Sequence, residues 1–377
     1  MIPYSKQSVS DADVRAVEKV LRSDWITQGP AIVSFENALA KKVGAKFCVA
    51  FNSGTAALHA AYFAAGVTKG DEVIVPALTF VATANAALYL GAKPVFADIN
   101  PYFTADIVDV RKKITKRTKV ITPVDYGGRP VDIDEFRAIA NKNKIIFIED
   151  AAQALGAHYH GKPVGTQADM TMFSFHPVKS ITTGEGGAIV TNNPLFEKRM
   201  RLFRSHGITR DKEIVEKNNE GPWHQEMHAL GHNYRITDMQ AALGESQLKR
   251  LDSFISKRRA AAQRYHKLLA NIPDILLPLT ERTWEESAWH LYPIRLADPS
   301  KRKAVFEQLR SAGIGVQVHY LPVYLHPFYQ KLGYKKGLCP NVERFYKSEI
   351  SIPLFPGMTQ KQQKFVVDTL KRILASL

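Results

Sequence analysis

Phe173-Ser-Phe-His-Pro-Val-Lys-Ser-Ile-Thr-Thr-Gly-Glu-Gly-Gly187 sets one lysine between a short apolar run and a glycine-rich turn. Met172 to Phe175 alternates as a strand does, and Thr182 to Gly187 cannot easily continue a helix, so Lys179 is expected on a bend with little freedom. Alone it is one of 51 Lys and Arg residues, and a solvated charge is the plainer reading. Residues upstream change the balance. Lys144-Ile-Ile-Phe-Ile-Glu-Asp150 is an apolar run ending in two acids, the pattern of a buried parallel strand that delivers a carboxylate to the crevice at its carboxyl end. Lys46 to Phe51 reads as a further strand, Asn52 to Thr55 as a turn, and the alanine-rich Ala56 to Ala65 as a helix whose exposed first amides would hold a phosphate.

A lysine amine, a carboxylate and a phosphate cradle are together what a pyridoxal phosphate site needs. The amine forms a Schiff base, the acid partners the ring nitrogen, and the cradle anchors the phosphate. Lys179 and Asp150 are therefore the candidate catalytic residues, with Asp150 also counted as a cofactor contact. From Asp71 the chain alternates: strand Glu72–Val75, helix Val81–Leu90, strand Pro94–Ala97, strand Lys119–Pro123 and helix Ile133–Asn141. This implies a mainly parallel sheet covered by helices on both faces. Ala188 to Thr191 reads as another strand, Asn218 to Pro222 as an exposed loop, and Asp238 to about Leu269 as one long amphipathic helical region. Beyond it, Trp289–Arg295 and Gly315–Tyr320 look strand-like, and Lys301–Ala312 and Gln360–Leu374 helical. The expected layout is a large cofactor-binding domain over residues 13–247 and a smaller α/β domain from 1–12 and 248–377, with a soft boundary near 245–255.

With these pieces assembled, the chain resembles the sugar-nucleotide aminotransferases of the DegT/DnrJ/EryC1/StrS family, which are fold-type I pyridoxal phosphate enzymes. The residues that carry the resemblance are Asn52-Ser-Gly-Thr-Ala-Ala57, Pro76 to Thr83, Glu149-Asp-Ala-Ala-Gln-Ala154, Phe173 to Gly187, and Gly231-His-Asn-Tyr-Arg235. Five blocks in the right order are far more specific than any one of them. Ser174 to Lys179, Phe203 to Asp211 and Gln317 to Tyr324 look most like the branch that serves the pseudaminic acid pathway.

The resemblance implies roles beyond those the residues themselves suggest. Gly54, Thr55 and Ser174 would bind the cofactor phosphate, Phe80 would stack on the pyridine ring, and Gln153 would meet the phenolic oxygen. Asn233 would reach the phosphate of a neighbouring subunit, so that the site is complete only in a homodimer. Tyr4, Asp24, Trp25, Ile26, Thr27, His319 and Tyr320 match positions that approach the sugar nucleotide. Other fates stay open. Phe80 is a residue type commonly buried in cores, Trp25 and Ile26 could pack the start of the core, and His319 and Tyr320 in isolation would be assigned to surface or packing. His176 either contacts substrate or is a satisfied histidine that fixes the bend, the second being the plainer reading. The implied reaction moves an amino group from L-glutamate to the C4 ketone of a UDP-linked 2-acetamido-2,6-dideoxy hexose.

The 377 residues, 45% hydrophobic and 23% charged, belong to an ordinary globular chain. The N-terminus lacks a signal-peptide pattern, and no apolar run approaches the ~18 residues of a membrane span, so a cytoplasmic protein without membrane contact is expected. Cys48 and Cys339 suggest neither a disulfide framework nor a metal site. A formal charge of +15 raises nucleic-acid binding. However, the run Arg111–Lys119 and Lys257-Arg-Arg259 carry no aromatic-interleaved or helix-turn-helix pattern, so no nucleic-acid partner is expected. Rival functions are another sugar 4-aminotransferase of the bacillosamine or 4-amino-arabinose type, a sugar dehydratase, and a catalytically dead sugar-nucleotide binder. The dehydratases of this family carry histidine where Lys179 stands, and a dead binder would have lost Lys179, Asp150 or Gln153.

Overall fold

In the computed structural model, which describes residues 1–211, 214–216 and 221–377, seven strands form the central sheet. They are β1 (Phe47–Phe51), β2 (Glu72–Pro76), β3 (Lys93–Ala97), β4 (Thr118–Ile121), β5 (Ile146–Asp150), β6 (Met170–Ser174) and β7 (Gly187–Thr191). Their spatial order is β1-β7-β6-β5-β4-β2-β3, and only β7 runs against its neighbours. Strands such as β2 and β7 are buried at every position, which follows from helices covering both faces. Residues 218–220 of the expected exposed loop lie outside the described residues.

The reversal at β7 places the lysine-bearing segment. Chain leaving β6 must turn back at the carboxyl edge of the sheet, and it does so in a closed bend. The Phe175 carbonyl accepts from the Thr183 amide at 3.0 Å and from Thr182 Oγ1 at 3.0 Å. Helix Gly54–Ala64 starts beside that bend, capped by Ser53, whose hydroxyl accepts from the Ala56 amide at 3.1 Å. Its small residues let it pack almost wholly buried. The two segments come so close that a Cβ at Gly187 would lie 2.7 Å from the Gly54 backbone, so only glycine fits there.

Three sequence expectations are corrected. The long helical region is two helices, Asp238–Leu248 and Leu251–Leu269, broken at Arg250. Arg250 turns its guanidinium onto Asp13 and the Ser8 carbonyl, so the second helix can bridge two cores. Leu251, Phe254 and Ile255 pack with the central sheet, whereas Ala262, Tyr265 and Leu269 pack with the C-terminal sheet. That smaller antiparallel sheet is β8 (Ile275–Leu276), β9 (Tyr292–Leu296) and β10 (Glu349–Ile352), in the order β8-β9-β10. Its middle strand starts at Tyr292 and not at Trp289, because the amides of Ala288 and His290 donate to Gly128 and Gly127 on a turn of the large sheet. Gly315–Tyr320 is not a strand: Gln317 makes one bridge to Ser351, and the backbone then leaves toward the carboxyl edge, where Tyr126 donates to the His319 carbonyl at 2.7 Å. No helix among the described residues is long and apolar enough to cross a membrane.

Candidate active site

The carboxyl ends of β1, β2, β5 and β6 open into a cavity of about 570 Å³. Such a crevice is where an open α/β sheet gathers its ligand-binding groups. Gly54, Thr55, Ser174, Asp150, Gln153 and Lys179 line it together with Tyr4, His319 and Tyr320.

Asp150 closes β5 and is buried. Its Oδ2 accepts from Thr83 Oγ1 at 2.7 Å and its Oδ1 from the Ala152 amide at 3.1 Å. Thr83 in turn meets Thr79 Oγ1 at 2.7 Å. With the Thr83 proton committed to the carboxylate, Thr79 is the donor in that second contact. Burial pushes the Asp150 carboxyl above its ordinary range, while these two hydrogen bonds and the charge of Lys179 oppose the rise. Lys179 shows the converse. Burial draws its amine down to about 8, Asp150 resists, and the Arg258 guanidinium adds to the fall.

Arg258 was not legible as a site residue. It is 1% exposed and pairs with no carboxylate among the described residues. It donates instead to the carbonyls of Leu354 at 2.9 Å, His290 at 3.2 Å and Val178 at 3.4 Å. The Val178 carbonyl also accepts from Ser5 Oγ at 3.3 Å. The peptide preceding the lysine is thereby pinned by a cation and a hydroxyl from two distant parts of the chain.

Gln153 has a fixed amide. Its Oε1 accepts from the Gly127 amide at 2.7 Å, which leaves Nε2 as the donor, here to the Tyr320 hydroxyl at 3.0 Å. Phe80 is 59% exposed on the cavity wall, so the core-packing alternative for it is excluded. Its ring lies 6.2 Å from that of Tyr320. His176 is exposed, lines the cavity, and makes no side-chain hydrogen bond within the described residues; only its carbonyl serves the bend, accepting from the Lys179 amide at 2.9 Å. The satisfied-histidine reading is therefore corrected.

Asp24, Trp25, Ile26, Thr27 and Asn233 do not line this cavity within one chain. Trp25 and Ile26 are 56% and 50% exposed, which overturns the reading that they pack the core. Trp25 borders a separate cavity of about 710 Å³ between helix Asp11–Leu21 and helix Asp238–Leu248. Asn233 is exposed and accepts through its carbonyl from the Asn52 side chain at 3.4 Å. Sequence reasoning also missed Thr83 as the donor to Asp150. The signal was its place at the end of the block Pro76–Thr83, four residues after Thr79 and so on the same face of a turn.

The residues present fit pyridoxal phosphate. A Cβ at Gly54 would come within 3.3 Å of the Ser174 side chain, so the open cradle at the helix start is kept by the glycine. The Lys179 amine has no hydrogen-bond partner among the described residues.

Residues 7–371 match the DegT/DnrJ/EryC1/StrS aminotransferase family. The UDP-4-amino-4,6-dideoxy-N-acetyl-beta-L-altrosamine transaminase of Campylobacter jejuni subsp. jejuni serotype O:23/36 (strain 81-176) is 42% identical over 379 residues, 99% of this chain and 98% of that protein. Among solved structures, Helicobacter pylori PseC, an aminotransferase involved in the biosynthesis of pseudoaminic acid, superposes with a TM-score of 0.94 at 35% identity over 100% of both chains. Spr1654 from Streptococcus pneumoniae in its PLP-form superposes with a TM-score of 0.93 at 32% identity, over 100% of this chain and 99% of that one.

Proposed function

The chain belongs to the DegT/DnrJ/EryC1/StrS aminotransferase family, and from that premise we propose that it uses pyridoxal phosphate to move an amino group from L-glutamate to the C4 ketone of UDP-2-acetamido-2,6-dideoxy-β-L-arabino-hex-4-ulose. The product is UDP-4-amino-4,6-dideoxy-N-acetyl-β-L-altrosamine. The choice of acceptor rests on full-length likeness to the transaminase of that name. One observation carries the chemistry: an amine whose proton affinity is lowered to about 8 faces a buried carboxylate across a cavity that ends in a capped helix start.

Lys179 would hold the cofactor covalently, Gly54, Thr55 and Ser174 its phosphate, Gln153 Nε2 its phenolic oxygen, and Phe80 one face of its ring. When bound, the cofactor supplies an aldehyde that takes up and returns the amino group, and a ring that accepts the electrons left behind by the departing proton. Asp150 keeps a proton on the ring nitrogen by placing a full negative charge beside it. The Lys179 amine, neutral for much of the time near pH 8, takes the α-proton of the donor and later returns a proton to the sugar C4. Tyr4, His176, His319 and Tyr320 form the wall against which the sugar nucleotide lies. Asp24 to Thr27 and Asn233 would reach the corresponding site of a second subunit in a homodimer. The large domain over residues 13–247 and the small one over 1–12 and 248–377 then meet near the helix break at Arg250.

An absorbance spectrum of the purified protein tests this reading. A yellow band discharged by L-glutamate and restored by the β-L-arabino 4-keto sugar alone is the expected result. Restoration by a 4-keto sugar of another configuration would move the enzyme to the bacillosamine or 4-amino-arabinose type. A protein that stays colourless when given pyridoxal phosphate would refute the assignment.

A further inference from the structure

His319 lines the cavity, and its ring is wired to a buried acid. Glu349 and Ser351 stand two apart on β10, so both side chains leave the same face of that strand, and the face is turned toward His319. The imidazole Nδ1 lies 2.9 Å from Ser351 Oγ, and Ser351 Oγ lies 2.5 Å from Glu349 Oε1. The other carboxyl oxygen, Oε2, accepts from the His319 backbone amide at 2.9 Å, which fixes the acid in place. Glu349 and Ser351 are 0% and 1% exposed. Nε2 of His319 has no partner among the described residues and is the nitrogen left to the cavity.

We propose that His319, Ser351 and Glu349 form a proton relay that sets the tautomer of His319 and lets it give a proton to the sugar-nucleotide substrate, or take one back, without its ring becoming charged. With Glu349 protonated, the carboxyl donates to Ser351, Ser351 donates to Nδ1, and Nε2 carries a hydrogen toward the cavity. When that hydrogen leaves for a basic atom of the substrate, the Ser351 proton moves to Nδ1 and the Glu349 proton moves to Ser351. Three bonds to hydrogen break, three form, and the negative charge left behind rests on Glu349. The reverse sequence takes a proton from the cavity.

Two electrostatic facts explain why such a route is needed. Burial and the neighbouring Lys179 charge hold the His319 imidazole down to about 4, so a charged ring is not available as an acid. Burial raises Glu349 to about 8 even against the Ser351 and backbone hydrogen bonds and the Arg302 charge, so the acid keeps a proton at neutral pH. The other titratable groups facing the relay are Tyr126 and Tyr320 at Glu349, His290 at His319, and the Tyr4 ring 5.7 Å from the imidazole. The contacts of the relay are geometric, the direction in which its hydrogens point follows from the protonated Glu349, and its use on a keto sugar rests on the function proposed above.

The test is the tautomer of His319, read by long-range proton–nitrogen correlation NMR on protein with labelled histidines, assigned by His319→Asn. In the unmutated protein the ring is expected to pass from Nε2–H to Nδ1–H as pH rises through about 8. Glu349→Gln, whose amide can only donate toward Ser351 once its oxygen holds the His319 amide, should lock Nε2–H at all pH. Ser351→Ala should abolish the switch. A ring whose tautomer ignores pH in the unmutated protein, or switches equally in Ser351→Ala, would overturn the relay. In turnover, Ser351→Ala should lower kcat on the order of 10²-fold with KM little changed. Unchanged kcat would overturn the relay's role in the reaction. A protein inactive on every sugar offered would instead refute the proposed function while leaving the NMR result intact.

Discussion

Lys179 and Asp150 oppose one another through solvation. Each would hold its ordinary charge in water, and burial disfavours the charged form of both, so the charge each retains depends on the other. The sign of the consequence is fixed. A lysine whose pKa is lowered gains its reactive neutral form at lower pH, so the rate at which cofactor-stripped protein turns yellow with pyridoxal phosphate should fall about tenfold per unit below pH 8 and level off above it. Asp150→Asn removes the one charge that raises the lysine, so the midpoint of that profile should move to lower pH. The same variant should retain cofactor but lose on the order of 10²-fold or more in kcat, because the phosphate cradle survives while the ring nitrogen loses its counter-charge. A midpoint that moves upward would show that the two groups do not interact as placed. Lys179→Ala should neither form the band nor turn over, and stopped-flow absorbance reads both variants beside the unmutated protein.

At the scale of elements, the site depends on how closely the bend after β6 approaches helix Gly54–Ala64. Gly187→Ala would force a methyl into the Gly54 backbone, which should cost about 1 to 3 kcal/mol by overpacking. The loss should appear both in denaturant unfolding and in weakened cofactor retention, since the displaced segment is the phosphate cradle. Normal stability together with normal cofactor affinity would mean the contact is looser than drawn. Much of this architecture was legible in the chain. The apolar runs ending at Phe51, Val75 and Asp150 announce buried strands of the central sheet, and Lys179 follows the next one on a segment that has to turn. What was not legible depends on partners distant in sequence. The break at Arg250 exists because Asp13 and Ser8 claim its guanidinium. The late start of β9 exists because residues 288–290 pair with Gly127 and Gly128. Arg258 reads as one more base in the run 257–259 until its carbonyl partners at positions 178, 290 and 354 are seen.

For the whole molecule, the informative observation is which expected site residues a single chain fails to bring together. Asn233 and Asp24 to Thr27 lie on the surface, outside the cavity that holds Lys179, and Trp25, Trp223 and Leu230 leave large apolar side chains 56%, 73% and 83% exposed. The homodimer with shared sites proposed above would account for both facts: the apolar groups would meet the second subunit, and the stray residues would complete its cavity. The arrangement predicts complementation. In a dimer of one Lys179→Ala subunit and one Asn233→Ala subunit, one cavity carries both lesions and the other carries neither. Coexpressing the two inactive or weakened chains in equal amounts makes half of the dimers hybrids, so turnover should recover to about a quarter of the unmutated level by the symmetry of the pair. If Asn233 instead served the cavity of its own chain, every site in the hybrid would carry one lesion and mixing would restore nothing. Activity of differentially tagged hybrids, purified over both tags and assayed beside each parent homodimer, separates the two outcomes.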